Sequence, residues 1–172
     1  MTSIPTLETE RLILRAPCAQ DWAGYLDFFT GPRAKIFGTL KTKADAKNIL
    51  DAQCTHWQKH RLGPYVVHVI AENRAIGVVG VGLPKGTDEP ELTWSIWRDE
   101  DEGKGYAFEA AKAARVDYFN KKPKSTLVSY IDPRNTRSVS LAKRLDCKVD
   151  AIAKAPFEAG VTYRHSAPEA VQ

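Results

Sequence analysis

Residues 99–107 read "DEDEGKGYA", four carboxylates running straight into Gly103-Lys104-Gly105. The stretch "ELTWSIW" before it alternates like a strand, and "GYAFEAAKAARVDYF" after it shifts to a period near 3.6. The glycines therefore open a helix. A helix start leaves several backbone N–H groups without intrahelical partners and carries partial positive charge, and glycines let a phosphate come close to them. Lys104 adds a point charge. The acids in front look out of place beside an anion site; a charge run of this kind is usually a solvated face.

Familiar phosphate motifs do not account for the turn. There is no G-x-x-x-x-G-K-[ST], and "GKGYAF" lacks the third glycine of a dinucleotide fingerprint. "GVVGVGLPKG" fails both tests as well. Taken alone, a Gly-x-Gly at a helix start is equally compatible with a turn shaped by packing. On the strand before it, period-two alternation puts Glu91, Thr93, Ser95 and Trp97 on one face and Leu92, Trp94 and Ile96 on the other. The polar face is the expected site side.

The elements that must position these residues follow from pattern. "TERLILRAP" reads as a strand, and "AQDWAGYLDFF" as a helix with Trp22, Tyr25, Leu26 and Phe29 on one side. Pro32 and Gly38 break that helix. "KADAKNILDAQCTHWQKH" is a second one, with Ile49, Leu50 and Trp57 turned inward. "YVVHVIA" and "AIGVVGVGL" form a hairpin around "ENR". The helix after the glycines carries Ala107, Ala110, Ala111, Ala114 and Tyr118 on one face, small enough to lie close to a sheet. "STLVSYI" is a strand, "NTRSVSLAKRL" a helix, and "CKVDAIA" and "VTYRH" closing strands. No linker or repeat divides the 172 residues. The expectation is one α+β domain over residues 1–172, with its core at about 7–165 and a loose tail at 166–172.

Composition narrows the class. The chain is 43% hydrophobic and 27% charged, with formal net charge +4 and no basic run with interleaved aromatics, so a nucleic-acid partner is not indicated. Cys18, Cys54 and Cys147 are far apart and odd in number, and neither they nor the four histidines have metal-ligand spacing. His68 falls mid-strand as a core or sheet-surface residue, and Cys147 reads as a small buried thiol. The start lacks a signal-peptide pattern, and no apolar run approaches the ~18 residues of a membrane helix. A soluble, cytoplasmic protein without a membrane partner or metal is expected.

The segment "ELTWSIWRDEDEGKGYAFEA", followed beyond the next strand by "DPRNTRSVSLAKRLDC", resembles the GNAT superfamily of acetyl-CoA-dependent N-acyltransferases. It is most similar to the branch that acetylates ribosomal-protein N-termini, whose start "LETERLILRAP" also resembles. The likeness covers residues 7–165. It implies the GNAT fold, a central mixed, mostly antiparallel sheet of about seven strands flanked by about four helices. It also implies acetyl-CoA as co-substrate and direct transfer to a primary amine, a protein N-terminus or a small molecule. The backbone of Gly103, Lys104, Gly105, Tyr106 and Ala107 would then hold the pyrophosphate, and Ile96, Trp97 and Arg98 would line the pantetheine arm.

Asn135 would reach the cofactor from the later helix, a role compatible with capping that helix. Arg137, Lys143 and Arg144 are candidates for its phosphates, or simply solvated. Glu91 matches the glutamate that often serves as base through water; the alternative is a solvated strand end after Pro90. Members frequently widen the sheet here with a bulge. The acceptor side would be built around Trp22–Phe37 and Phe157–Tyr163, as part of a monomer or homodimer.

Several positions depart from the family. Glu100 stands where a glutamine or arginine is common, and Glu102 where an aromatic precedes the glycine. Asp146-Cys147 replaces the Gly-Phe that closes the later helix, though Asp146 can still adopt a left-handed turn. The tyrosine that many members use to protonate the leaving thiolate falls at Ala142. Ser138, or more remotely Tyr163, is a candidate substitute, and a CoA thiolate can also leave without a dedicated acid. A non-catalytic acyl-CoA-binding domain is the alternative those losses leave open.

Overall fold

The computed structural model describes residues 5–37 and 41–168. Gly38 and residues 169–172 of the tail lie outside the described residues. The strands are β1 (Leu7–Glu8), β2 (Leu12–Arg15), β3 (Pro64–Val69), β4 (Arg74–Gly82), β5 (Glu91–Ile96), β6 (Val128–Ile131), β7 (Lys148–Asp150) and β8 (Val161–Arg164). The helices are α1 (Trp22–Thr30), α2 (Lys43–His60), α3 (Tyr106–Lys121) and α4 (Thr136–Arg144). Short 3-10 turns cover Ala19–Asp21, Pro32–Phe37 and Asp99–Asp101.

The eight strands among the described residues form one sheet in the order β1-β2-β3-β4-β5-β6-β8-β7. All neighbours are antiparallel except β5 and β6. The strand beyond the expected seven is the two-residue β1, which exists because the chain folds back at Thr9, whose N–H donates to the Leu12 carbonyl at 2.9 Å.

Both faces of the sheet are covered. On one, α3 lays Ala110, Ala111, Ala114 and Tyr118 against Val79, Val81 and Leu92. All seven are at most 2% exposed, as a stripe of small side chains permits. On the other, Tyr25 and Phe28 of α1 join Leu50, Val66, Val78 and Trp97. Phe28 is the deeper residue of the Phe28-Phe29 pair, and Leu26 is half-buried. Val67 faces Gly77 and His68 faces Ala75, so Ile76 is a bulged extra residue re-aimed into the α3 side.

Between β4 and β5 the register is unbroken from Gly77↔Ile96 to Gly82↔Glu91. The irregularity therefore lies on the β3 edge of β4, rather than where family likeness places a bulge. α4 ends in a Schellman turn, with Asp146 at φ 58° and Cys147 N–H on the Ala142 carbonyl at 3.0 Å. The feature that makes room for a site is the β5–β6 pair. These strands meet at Glu91↔Val128 and diverge beyond it.

Candidate active site

The groove opened by that divergence is lined by main chain. Trp97 N–H donates to the Ile76 carbonyl at 2.8 Å, so alternation turns Thr93 and Ser95 backbone groups toward β4 as well. The main-chain groups of Leu92, Trp94 and Ile96 consequently face β6. Past the Glu91↔Val128 rung β6 has moved away, leaving Trp94 and Ile96 turned toward open groove. The Ile96 carbonyl accepts from Arg33 at 2.9 Å.

At the closed end of the groove stands Glu91. Its Oε1 takes a long hydrogen bond, 3.4 Å, from Tyr130 N–H. Burial pushes the carboxyl up to about 7, and the single amide donor only partly opposes it. A carboxylate poised there exchanges protons readily near neutral pH.

At the open end is the glycine turn. Gly103 and Gly105 have φ of 73° and 82°, the left-handed region that glycine adopts without strain. Gly105 caps α3 with no side-chain acceptor on the first-turn amides, so these stay free for an anion. A Cβ on Gly103 would meet nothing within 4 Å, and one on Gly105 would lie 3.4 Å from Arg11 Nη2. Arg11 is a residue that local pattern missed. It donates to the Lys104 carbonyl at 2.9 Å, pairs with Glu109 at 2.7 Å and lies over the Tyr106 ring at 4.7 Å. The residue just before β2 thereby fixes the turn.

The acid run is a solvated face only at Asp99 and Glu100, whose side chains are 81% and 66% exposed. Asp101 is 1% exposed and held by both Nη atoms of Arg74, at 2.6 and 2.8 Å. Asp99 pairs with Arg33, and Glu102 lies between Arg33 and Arg137. Glu100 is outward like Asp99, and lies only loosely near Arg98 at 3.7 Å. Three of the four acids thus neutralise arginines brought from β4, the segment after α1, and α4.

The far wall is α4. Asn135 Oδ1 accepts from Ser138 N–H at 3.2 Å, capping the helix, and Asn135 Nδ2 donates to Ser138 Oγ at 2.8 Å. Trp94 Nε1 donates to the same oxygen at 3.0 Å. Ser138 therefore accepts twice between the two walls, and its own proton is free to be given. Ala142 is fully buried, and no side-chain acid stands there. Tyr163 belongs to the core beneath α3 and α4. Arg144 stacks on Phe108 at 4.3 Å.

Other singled-out residues lie elsewhere. The Trp97 ring packs against Gly24, where a Cβ would come within 2.2 Å of it, and edge-on to Tyr25 at 5.6 Å. Its side chain is thus turned to α1, away from the groove, and its N–H is already used by Ile76. Arg98 and Lys104 are exposed, whereas Tyr106 is buried and Ala107 half-buried, so the last two offer chiefly backbone here. His68 meets Arg15 at 2.8 Å, His56 stacks on His60 at 4.5 Å, and no group able to hold a metal occurs among the described residues.

An open parallel groove, an uncapped helix start at one end and a proton-exchanging carboxylate at the other suit a long phosphate-bearing thioester. A family model described as "Acetyltransferase (GNAT) domain" matches residues 11–148. The chain belongs to the GNAT acetyltransferase family. It is 31% identical to an acetyltransferase from Agrobacterium tumefaciens, over 96% of each chain, with a TM-score of 0.88. A ribosomal-protein-S5-alanine acetyltransferase from Vibrio fischeri shares the fold at 20% identity, over 96% of this chain and 98% of that one, TM-score 0.70. The ribosomal L7/L12 α-N-protein acetyltransferase RimL, in complex with coenzyme A, does so at 12%, over 93% and 96%, TM-score 0.72.

This GNAT protein is an acetyltransferase with acetyl-CoA as co-substrate. The residues present fit that molecule: two left-handed glycines before free amides for phosphate, and a groove edged by β5 main chain past its one rung with β6. No helix among the described residues is long and apolar enough to cross a membrane.

Proposed function

We propose that the acetyl group passes directly to a primary amine, a polypeptide N-terminus or a small-molecule amine, with no acyl-enzyme. Gly103, Lys104, Gly105, Tyr106 and Ala107 would hold the pyrophosphate through main-chain N–H groups, and Ile96 to Arg98, chiefly through backbone, the pantetheine arm, with Asn135 reaching it from α4. Acetyl-CoA, when bound, supplies the activated thioester. Glu91 accepts the amine proton, through water where the amine is not in direct reach. Trp94 N–H, turned into the groove, is a donor for negative charge developing on the acyl oxygen. Ser138, already accepting from Trp94 and Asn135, donates a hydrogen bond to the departing sulfur, which leaves as thiolate and takes its proton from solvent.

The observation that carries this reading is Glu91, a desolvated carboxyl at the closed end of the groove whose other end is the glycine cradle. The test is release of free thiol from acetyl-CoA with a panel of amines and peptide N-termini. Thiol release with one acceptor class, and its loss in Glu91→Gln, supports the assignment. Coenzyme A binding without thiol release from any acceptor would overturn it.

A further inference from the structure

Two main-chain groups mark where the groove begins. Leu127 C=O accepts His165 N–H at 2.9 Å on the β8 side, so alternation turns the main-chain groups of Val128 and Tyr130 toward β5. Val128 uses its N–H there, donating to Pro90 C=O at 3.0 Å. In a ladder continued by one rung, Tyr130 N–H would donate to Leu92 C=O. The two do not pair. Leu92 C=O accepts instead from Ser129 Oγ at 2.5 Å, and Tyr130 N–H turns to the Glu91 carboxylate at 3.4 Å. Both halves of the missing rung are taken by side chains.

Ser129 is one link in a directed chain. A carbonyl can only accept, so Ser129 Oγ gives its proton to Leu92 and must accept from His165 Nε2, 2.9 Å away. With its proton on Nε2, His165 has a bare Nδ1, 3.2 Å from Cys147 Sγ, and the thiol donates to it. Burial favours the same states, holding His165 neutral and Cys147 as a thiol. Ser129, His165 and Cys147 are 2%, 5% and 9% exposed. Each proton in the chain has one donor and one acceptor, and the chain ends on the carbonyl where β5 and β6 part.

We infer that Ser129, oriented by His165 and Cys147, is a positioning residue that holds the cofactor groove open. By capping Leu92 C=O it removes the acceptor onto which β6 would otherwise close. This rests on the reading of the β5–β6 groove as the cofactor channel. Without the hydroxyl, Leu92 C=O is a buried acceptor in need of a donor, and Tyr130 N–H faces it from the opposite strand. Closure by one rung would narrow the channel and draw Tyr130 away from Glu91. A role in stability alone predicts the opposite sign at Tyr130, because a loosened network exposes amides rather than protecting them.

The experiment compares the full-length protein with Ser129→Ala by amide hydrogen exchange at Tyr130 without cofactor, and by calorimetric titration with coenzyme A. The expected result is slower exchange at Tyr130 and coenzyme A affinity weakened about tenfold, both returning toward wild type in Ser129→Thr. Exchange at Tyr130 as fast as in wild type, or faster, overturns the inference, as does unchanged affinity. Should Ser129→Ala not fold, His165→Gln, which disturbs the donor to Ser129 and leaves the hydroxyl in place, carries the same expectation at smaller size, and wild-type behaviour in it overturns the inference equally. Failure of wild-type protein to bind coenzyme A would instead sink the channel reading, which the cofactor-free exchange does not depend on.

Discussion

Arg33 and Glu102 form an ion pair at the mouth of the β5–β6 groove, and Arg33 also holds the Ile96 carbonyl at 2.9 Å. Arg137 takes the other oxygen of Glu102 from α4. The carboxylate thus occupies two guanidinium groups beside the glycine turn, where a phosphate would also be welcome. Partly exposed pairs of this kind are worth about 1 kcal/mol or less, so the acid is exchangeable for a more highly charged ligand. Glu102→Gln should tighten coenzyme A binding severalfold at low salt, with the gain shrinking as salt rises. Titration calorimetry at two ionic strengths checks this; equal or weaker affinity in the variant would make Glu102 a structural partner of Arg33 only.

The glycine turn, the strand before it and the alanine stripe after it follow from local periodicity. The left-handed position of Asp146 follows likewise from the need to end α4. The pairing of the acids does not, because Arg33, Arg74 and Arg137 lie far along the chain and meet the turn only once β4, α4 and the segment after α1 are packed. The run reads as solvated from sequence because only Arg98 and Lys104 flank it, and they come no nearer to Glu100 and Asp101 than 3.7 and 3.9 Å. The link among Ser129, His165 and Cys147 is not legible for the same reason, although Cys147 reads correctly as a buried thiol. Antiparallel pairing of β6 with β8 and the turn after α4 bring them together, and no spacing rule records that.

Asp101 and Glu100, adjacent in sequence, should respond very differently to loss of charge. Asp101 is buried against both arms of Arg74, whereas Glu100 is exposed and loosely placed. Asp101→Asn leaves a half-buried guanidinium underpaired and should cost roughly 2 kcal/mol, less than a fully buried pair because Arg74 retains Glu72 and some solvent. For a domain of this size that is a fall in Tm of several degrees. Glu100→Gln should move Tm by about a degree or less. Thermal unfolding of the two variants decides it, and similar melting would remove Asp101 as the anchor of the turn.

Gly105 should be irreplaceable by a β-branched residue. Its φ of 82° strains any side chain, and a Cβ would press toward Arg11 Nη2 at 3.4 Å. Gly105→Val should therefore displace the amides that begin α3 and weaken coenzyme A binding by tenfold or more, about 1.4 kcal/mol. Gly103→Ala, with the same backbone strain but open space around the new carbon, should weaken it less. Affinities measured by calorimetry test the order; unchanged binding in Gly105→Val would place the phosphates elsewhere.

Glu91 offers a prediction in which stability and turnover move in opposite directions. Burial raises its folded-state pKa from an ordinary 4.5 to about 7. Folding therefore favours the protonated form. The stability this contributes is fully present below about 4.5 and is lost as pH rises through 7, where the buried carboxyl must ionise. Glutamine carries no such penalty. Glu91→Gln should thus gain stability relative to wild type as pH climbs from 5 to 8, by roughly 1–3 kcal/mol at the upper end. Over the same range wild-type kcat/KM should rise to a plateau above pH 7, as the base is freed, while the variant stays about a hundredfold lower and lacks that rise. Thermal melts and steady-state thiol release at matched pH values test both halves. A variant with wild-type turnover would remove Glu91 as the base, and a stability difference independent of pH would mean that its carboxyl is ionised throughout.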